Sequence, residues 1–166
     1  MLNELQIQQI WEGMLAAETR ALYFADLASR YTATKQWISG LSFFLSSAVA
    51  VSLLASVPYV NAITAAALLV GILNAYSIAV GLDRKIGTMV KLHSSWREIA
   101  TDYNHLWNHV QEEDSERKLE SIIRREREPS ELAATEAPNK ERLLEKWQLR
   151  VFASYHLNAD GKASTN

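Results

Sequence analysis

The chain has 166 residues, room for one domain. Its net charge of −2 and pI near 6.1 give no global field that would select nucleic acid, so no direct nucleic-acid partner is expected. With no cysteine, disulfides, thiol catalysis and Cys-ligated zinc are excluded.

The opening residues, MLNELQIQQIWEG, carry no basic n-region, so no cleaved signal peptide is expected. Residues 1–36 read as one amphipathic cytoplasmic helix. Ile7, Ile10, Met14, Ala17, Ala21, Phe24, Ala28 and Tyr31 alternate steps of three and four, a coiled-coil-like seam. Leu5, Trp11, Leu15, Leu22 and Leu27 widen the apolar face, which therefore needs a partner helix.

From Trp37 to Leu82 there is no charged residue, although the mean hydropathy of the whole chain is only −0.11. A bilayer core about 30 Å thick takes roughly 20 apolar helical residues. Residues 37–57 and 60–82 each supply such a span. Pro58 marks the turn between them. Spans joined by so short a turn run antiparallel, giving a two-helix transmembrane hairpin. Arg30 and Lys35 precede it, and Arg84, Lys85 and Lys91 follow it. The positive-inside rule then puts both termini in the cytoplasm. Trp37 and Tyr59 stand where aromatic rings favour the interface.

Small residues organise both spans. Ala67, Gly71, Ala75 and Ala79 recur every fourth position, and Ser42, Ser46 and Ala50 do the same in the first span. Ala48, Ser52 and Ser56 mark a further small face there. Such patterns let helix backbones approach in lipid, within the hairpin or between subunits. Asn61, Thr64 and Asn74 are polar groups at membrane depth. Each must face protein or water. Asn74 is read either as pore-lining or as bonded to a first-span serine. The spans hold no Asp, Glu, Lys or Arg, which argues against a proton relay or voltage sensor.

Residues 83–128 read as a long cytoplasmic helix, with Gly81 and Gly87 as places where it could bend. Ile86, Met89, His93, Trp96, Ala100, Tyr103, Trp107 and Val110 form its seam, broadened by Leu92, Ile99 and Leu106. Residues 129–139, with Pro129 and Pro138, read as a linker. A helix over 140–156 and a disordered tail over 157–166 complete the chain. The fold class is thus an all-α membrane protein, its hairpin flanked by long amphipathic helices packed together.

Catalytic signals are weak. Glu98, Asp102, His105 and His109 share one helix face, and the two histidines have a metal-ligand spacing. A solvated face is the preferred reading, because no second ligand group accompanies them. His93 reads as a hydrogen-bonded core histidine. Glutamates interrupt the run of Arg117, Lys118, Arg124, Arg125 and Arg127, as on a salt-bridged surface. No triad or phosphate loop appears, so no enzyme, metal or cofactor is expected.

The order of parts resembles the SLATT group of bacterial two-transmembrane effector domains. The likeness covers about Glu4 to Glu128. It rests on AAETRALYFADLASRYTATKQWISGL, with Glu18, Arg20, Ala21 and Tyr31, and on AVGLDRKIGTMVKLHSSWREIATDYNHLW, with Asp83, Arg84 and Trp96. The resemblance implies a multi-pass inner-membrane effector of an antiviral or conflict system. It would be a homo-oligomer that permeabilises the bilayer when a separate sensor or enzyme engages its cytoplasmic helices. The alternative is a membrane anchor or scaffold that recruits a soluble defence complex and conducts nothing.

Overall fold

The computed structural model describes residues 2–54 and 60–157, without the side chains of 48, 50–54, 60 and 62. The chain is all-α. Its helices are α1 (Glu4–Leu54), α2 (Val60–Val80), α3 (Leu82–Asn108), α4 (Ser115–Arg125), α5 (Arg127–Glu136) and α6 (Glu141–Ser154). They form two compact units, one of Met1–Leu27 with Thr88–Asn166, the other of Ala28–Gly87.

In the first unit, α1 starts at a reciprocal cap. The Gln6 N–H donates to Asn3 Oδ1, and the Asn3 N–H donates to Gln6 Oε1, each at 2.8 Å. Two N-terminal donors are thereby satisfied. The seam then buries Ile10, Met14, Ala17, Ala21 and Phe24. On α3 the buried residues are Met89, Leu92, Trp96, Ile99, Tyr103 and Leu106. The residues expected only to broaden that seam (Leu92, Ile99, Leu106) are thus buried more deeply than His93, Ala100 and Trp107, which are half-buried. The face is centred between the two stripes.

Across 83–128 the structure has not one helix but α3, α4 and the start of α5. Glu112, Glu113 and Asp114 follow the last apolar turn of α3, and a turn there replaces helix. The buried Ser115 hydroxyl stabilises it, 3.0 Å from the His109 carbonyl and 2.8 Å from that of Glu112. The 129–139 segment expected as linker is largely helical, because α5 spans Arg127–Glu136. Pro129 lies in its first turn, where an N–H has no intrahelical partner to lose. Pro138 does stop the chain: Ala137 before it is extended, with φ −93° and ψ 138°.

The second unit holds the later part of α1, α2 and the first turn of α3. The amphipathic N-terminal helix and the first apolar stretch are one unbroken helix. The seam register continues from Tyr31 through Lys35, Ile38, Ser42, Leu45 and Val49. On α2 the inward positions are Ile63, Ala66, Val70, Leu73, Ser77 and Val80. Lys35 forms an ion pair with Asp83, so the two helices meet again at the end away from their connection and run antiparallel. Gly81 ends α2 with φ +62°, a left-handed conformation that suits glycine. Val80 and Leu82 would point to opposite sides of an unbroken helix. The left-handed residue turns both inward, and Leu82 is 3% exposed.

Candidate functional site

The exposed large hydrophobic side chains concentrate on the second unit. Trp37, Leu41, Phe43, Phe44, Leu68, Leu69, Ile72, Tyr76 and Ile78 are all exposed, Trp37 and Ile78 at 80%. Few single residues of this kind would need explanation, but a contiguous apolar band marks an interaction surface. Ile63–Val80 has a mean hydropathy of 2.0 and is long and apolar enough to cross a membrane; it is the one such window among the described residues.

The exposed part of α2 divides into two sectors at about 100° of rotation per residue. One carries bulk: Leu68, Leu69, Ile72 and Tyr76. The other carries Ala67, Gly71, Ala75 and Ala79, interleaved with Asn61, Thr64 and Asn74, all seven exposed, with the bulky Ile78 standing between Ala67 and Gly71 in rotation. The small ridge therefore lies outside the α1–α2 seam. A Cβ at Gly71 would meet nothing within 4 Å. On α1, Ser42 is buried and Ser46 exposed. Ala48, Ala50 and Ser52 lie outside the described side chains, and Ser56, Pro58 and Tyr59 outside the described residues. The Ser42 hydroxyl is buried with no hydrogen-bond partner. The exposed Asn74 does not supply one.

In the first unit the expected histidine face is divided. The Arg125 guanidinium donates from Nη2 to Glu98 at 2.7 Å and from Nη1 to Asp102. His105 and His109 stack, with ring centroids 4.3 Å apart, and His109 Nδ1 lies 2.8 Å from the His105 carbonyl. Among the described residues, no group of three or more His, Asp or Glu side chains is placed to hold a metal. His93 Nδ1 donates to the Ala21 carbonyl at 2.8 Å, a contact between the two seams. Lys118 pairs with Glu112 at 2.6 Å and holds that carboxyl below its ordinary range, chiefly through the hydrogen bond. Lys91 does the same for Glu128.

Periodicity places Trp147 and Tyr155 on the apolar side of the C-terminal helix but not the hydrogen bonds that tie this region to α1. The Tyr155 hydroxyl donates to Glu18 at 3.0 Å, and the Trp147 indole to Asp26 at 3.1 Å. The Tyr23 hydroxyl donates to the Pro138 carbonyl at 2.5 Å and accepts the Lys140 N–H at 3.2 Å. The available signal was chemical: a buried Tyr or Trp seeks a partner for its polar end. Burial, then Glu18, raises the Tyr155 pKa. Between α1 and α6 lies a cavity of about 530 Å³, lined by Trp11, Leu15, Leu144 and Phe152 with Arg20 and Gln148. Trp11 also packs on Trp107 and Tyr155, at 5.1 and 5.5 Å between centroids.

No family model, curated protein or solved structure matches this chain.

Proposed function

We propose that the chain is an integral membrane protein whose helical hairpin crosses the bilayer twice, with both termini in the cytoplasm. The observation that carries this reading is the band of nine large hydrophobic side chains exposed between Trp37 and Ile78, in a segment with no charge. In water such a band is unfavourable, by about 25 cal/mol for each Å² left wet. In hydrocarbon it is solvated. The charged flanks supply the topology.

Within that reading the protein is a homo-oligomeric inner-membrane effector of the SLATT type. A partner received by the cytoplasmic helices triggers it to permeabilise the membrane. The exposed small and polar residues of this α2 sector support assembly, with Ile78 the one bulky side chain among them: they lie outside the α1–α2 seam, and small residues are what neighbouring membrane helices pack against. Asn61, Thr64 and Asn74 on that sector are the groups that would face a water path. The test is dye-reported depolarisation in cells expressing the protein with its activating partner. Asn74→Leu at equal abundance should suppress depolarisation, and an unrelated hairpin in place of residues 37–82 should abolish it. Full function with the foreign hairpin would identify an anchor that recruits a soluble complex instead.

A further inference from the structure

Two cavities of the first unit adjoin each other, because Arg20 and Leu144 line both. The larger is the α1–α6 cavity of about 530 Å³. The second, about 340 Å³, runs past Trp96 to Ala133 and Ala134 of α5, whose short side chains leave the space unfilled. Arg20 at the junction is exposed, and among the described residues it forms no ion pair or hydrogen bond. Stacking holds it instead, with the guanidinium carbon 4.4 Å from the centroid of the Trp96 ring. Stacking fixes the plane of the group and leaves the N–H donors at its edge available. Neighbouring acids are committed elsewhere. Glu18 accepts from Tyr155, and Glu126 is engaged with Tyr103. Glu12, on the wall of the larger cavity, accepts from Gln8 at 2.7 Å and stands two helical turns from Arg20, about 12 Å along α1. Trp96 is 1% exposed, and its indole N–H has no hydrogen-bond partner among the described residues. A buried donor without an acceptor is uncommon in a folded protein.

We propose that the joined cavities bind a small molecule bearing one carboxylate on an apolar, ring-containing body. Their volumes suit such a ligand, and an apolar wall with a few convergent polar groups is the usual composition of a small-molecule site. The carboxylate pairs with Arg20, whose planar fork matches two oxygens. Among the described residues Arg20 is the single cation lining either cavity, so the charge it matches is that of a monoanion. The body fills the space walled by Trp11, Leu15, Leu144 and Phe152. An acceptor brought beside Arg20 is also the kind of group that the Trp96 donor lacks. The site belongs to the first unit alone and stands whether or not the hairpin crosses a bilayer.

The probe is 2-naphthoate, measured by equilibrium dialysis against the full chain in detergent, with protein-free detergent as the blank. The parent should bind it saturably. Neutral 2-naphthamide should bind about tenfold more weakly or worse, because hydrogen bonds to a charged group are the stronger ones. Arg20→Gln should bring the acid down to the level of the amide. Arg117→Gln, on α4 and outside the lining of both cavities, should change neither. Ala16→Phe sets a ring into the larger cavity from an exposed helix position and should cost both compounds their binding. Absence of saturable binding, or equal affinity of the parent for acid and amide, overturns the proposal. That comparison needs no variant, so it holds even if Arg20→Gln folds poorly. A folded Arg20→Gln protein that still prefers the acid overturns it as well. Acetate binding as tightly as 2-naphthoate would reduce the site to a bare anion contact and overturn the apolar body.

Discussion

Replacing Gly13 by alanine probes a tight contact of α1 with the Tyr103 ring of α3. A Cβ built there would lie 2.6 Å from Tyr103 Cζ and 2.9 Å from Oη. The ring cannot swing aside cheaply, since Tyr103 is 2% exposed. Either the ring or the helix must shift. Overpacking of this kind costs about 1–3 kcal/mol. Alanine also gains about 1 kcal/mol over glycine within a helix, which offsets part of the cost. Gly87→Ala isolates that gain, because a Cβ at exposed Gly87 inside α3 meets nothing within 4 Å. The propensity term cancels between the two variants. Their difference in unfolding free energy should therefore be the steric cost itself, about 1–3 kcal/mol with Gly87→Ala the more stable. The assay is denaturant unfolding of the full chain in detergent, followed by tryptophan fluorescence; Trp11 and Trp107 pack together near the site. A Gly13→Ala variant as stable as Gly87→Ala would refute the packing of Tyr103 on α1.

Burial, then the nearby Glu126 carboxylate and its hydrogen bond, raises the Tyr103 pKa, with Arg20 opposing. A raised folded-state pKa means stability is fully present below the unfolded value of about 10 and is lost as pH climbs above it; unfolding midpoints taken from pH 8 to pH 11 should fall, and Tyr103→Phe should flatten that fall. Trp147→Phe removes the donor to Asp26 and should weaken α6 docking by about 1.5–3 kcal/mol, as for bonds to charged groups; faster amide exchange confined to α6 checks it. Gly81→Ala forces a Cβ into left-handed backbone and should cost about 1–2 kcal/mol in unfolding free energy. Ser42→Ala removes a buried hydroxyl that has no partner, so it should leave thermal stability unchanged or raise it.

Sequence by itself determined the helical class and the faces that would be buried. Alternating steps of three and four can close only one side of a helix, and Ile10, Met14, Ala17, Met89, Trp96 and Tyr103 are on that side in the structure. The charge-free stretch was equally legible, because composition alone defines it. Periodicity could not locate the breaks. Gly81 and Gly87 looked alike as bends, yet only Gly81 takes a positive φ, since Leu82 must turn inward on the resumed helix. Pro129 looked like a stop and instead begins a helix, because a proline's effect depends on its distance from the helix start. The tethers Tyr155–Glu18 and Trp147–Asp26 join residues more than 100 apart in the chain, and no local pattern encodes such a pairing. The same holds for α2. Its sequence showed a ridge of small residues but not which way that ridge points; the packing of Ile63, Val70 and Ser77 toward α1 left Gly71 and Asn74 on the outside. Direction is set by what a helix packs against, and that is a property of the assembled fold.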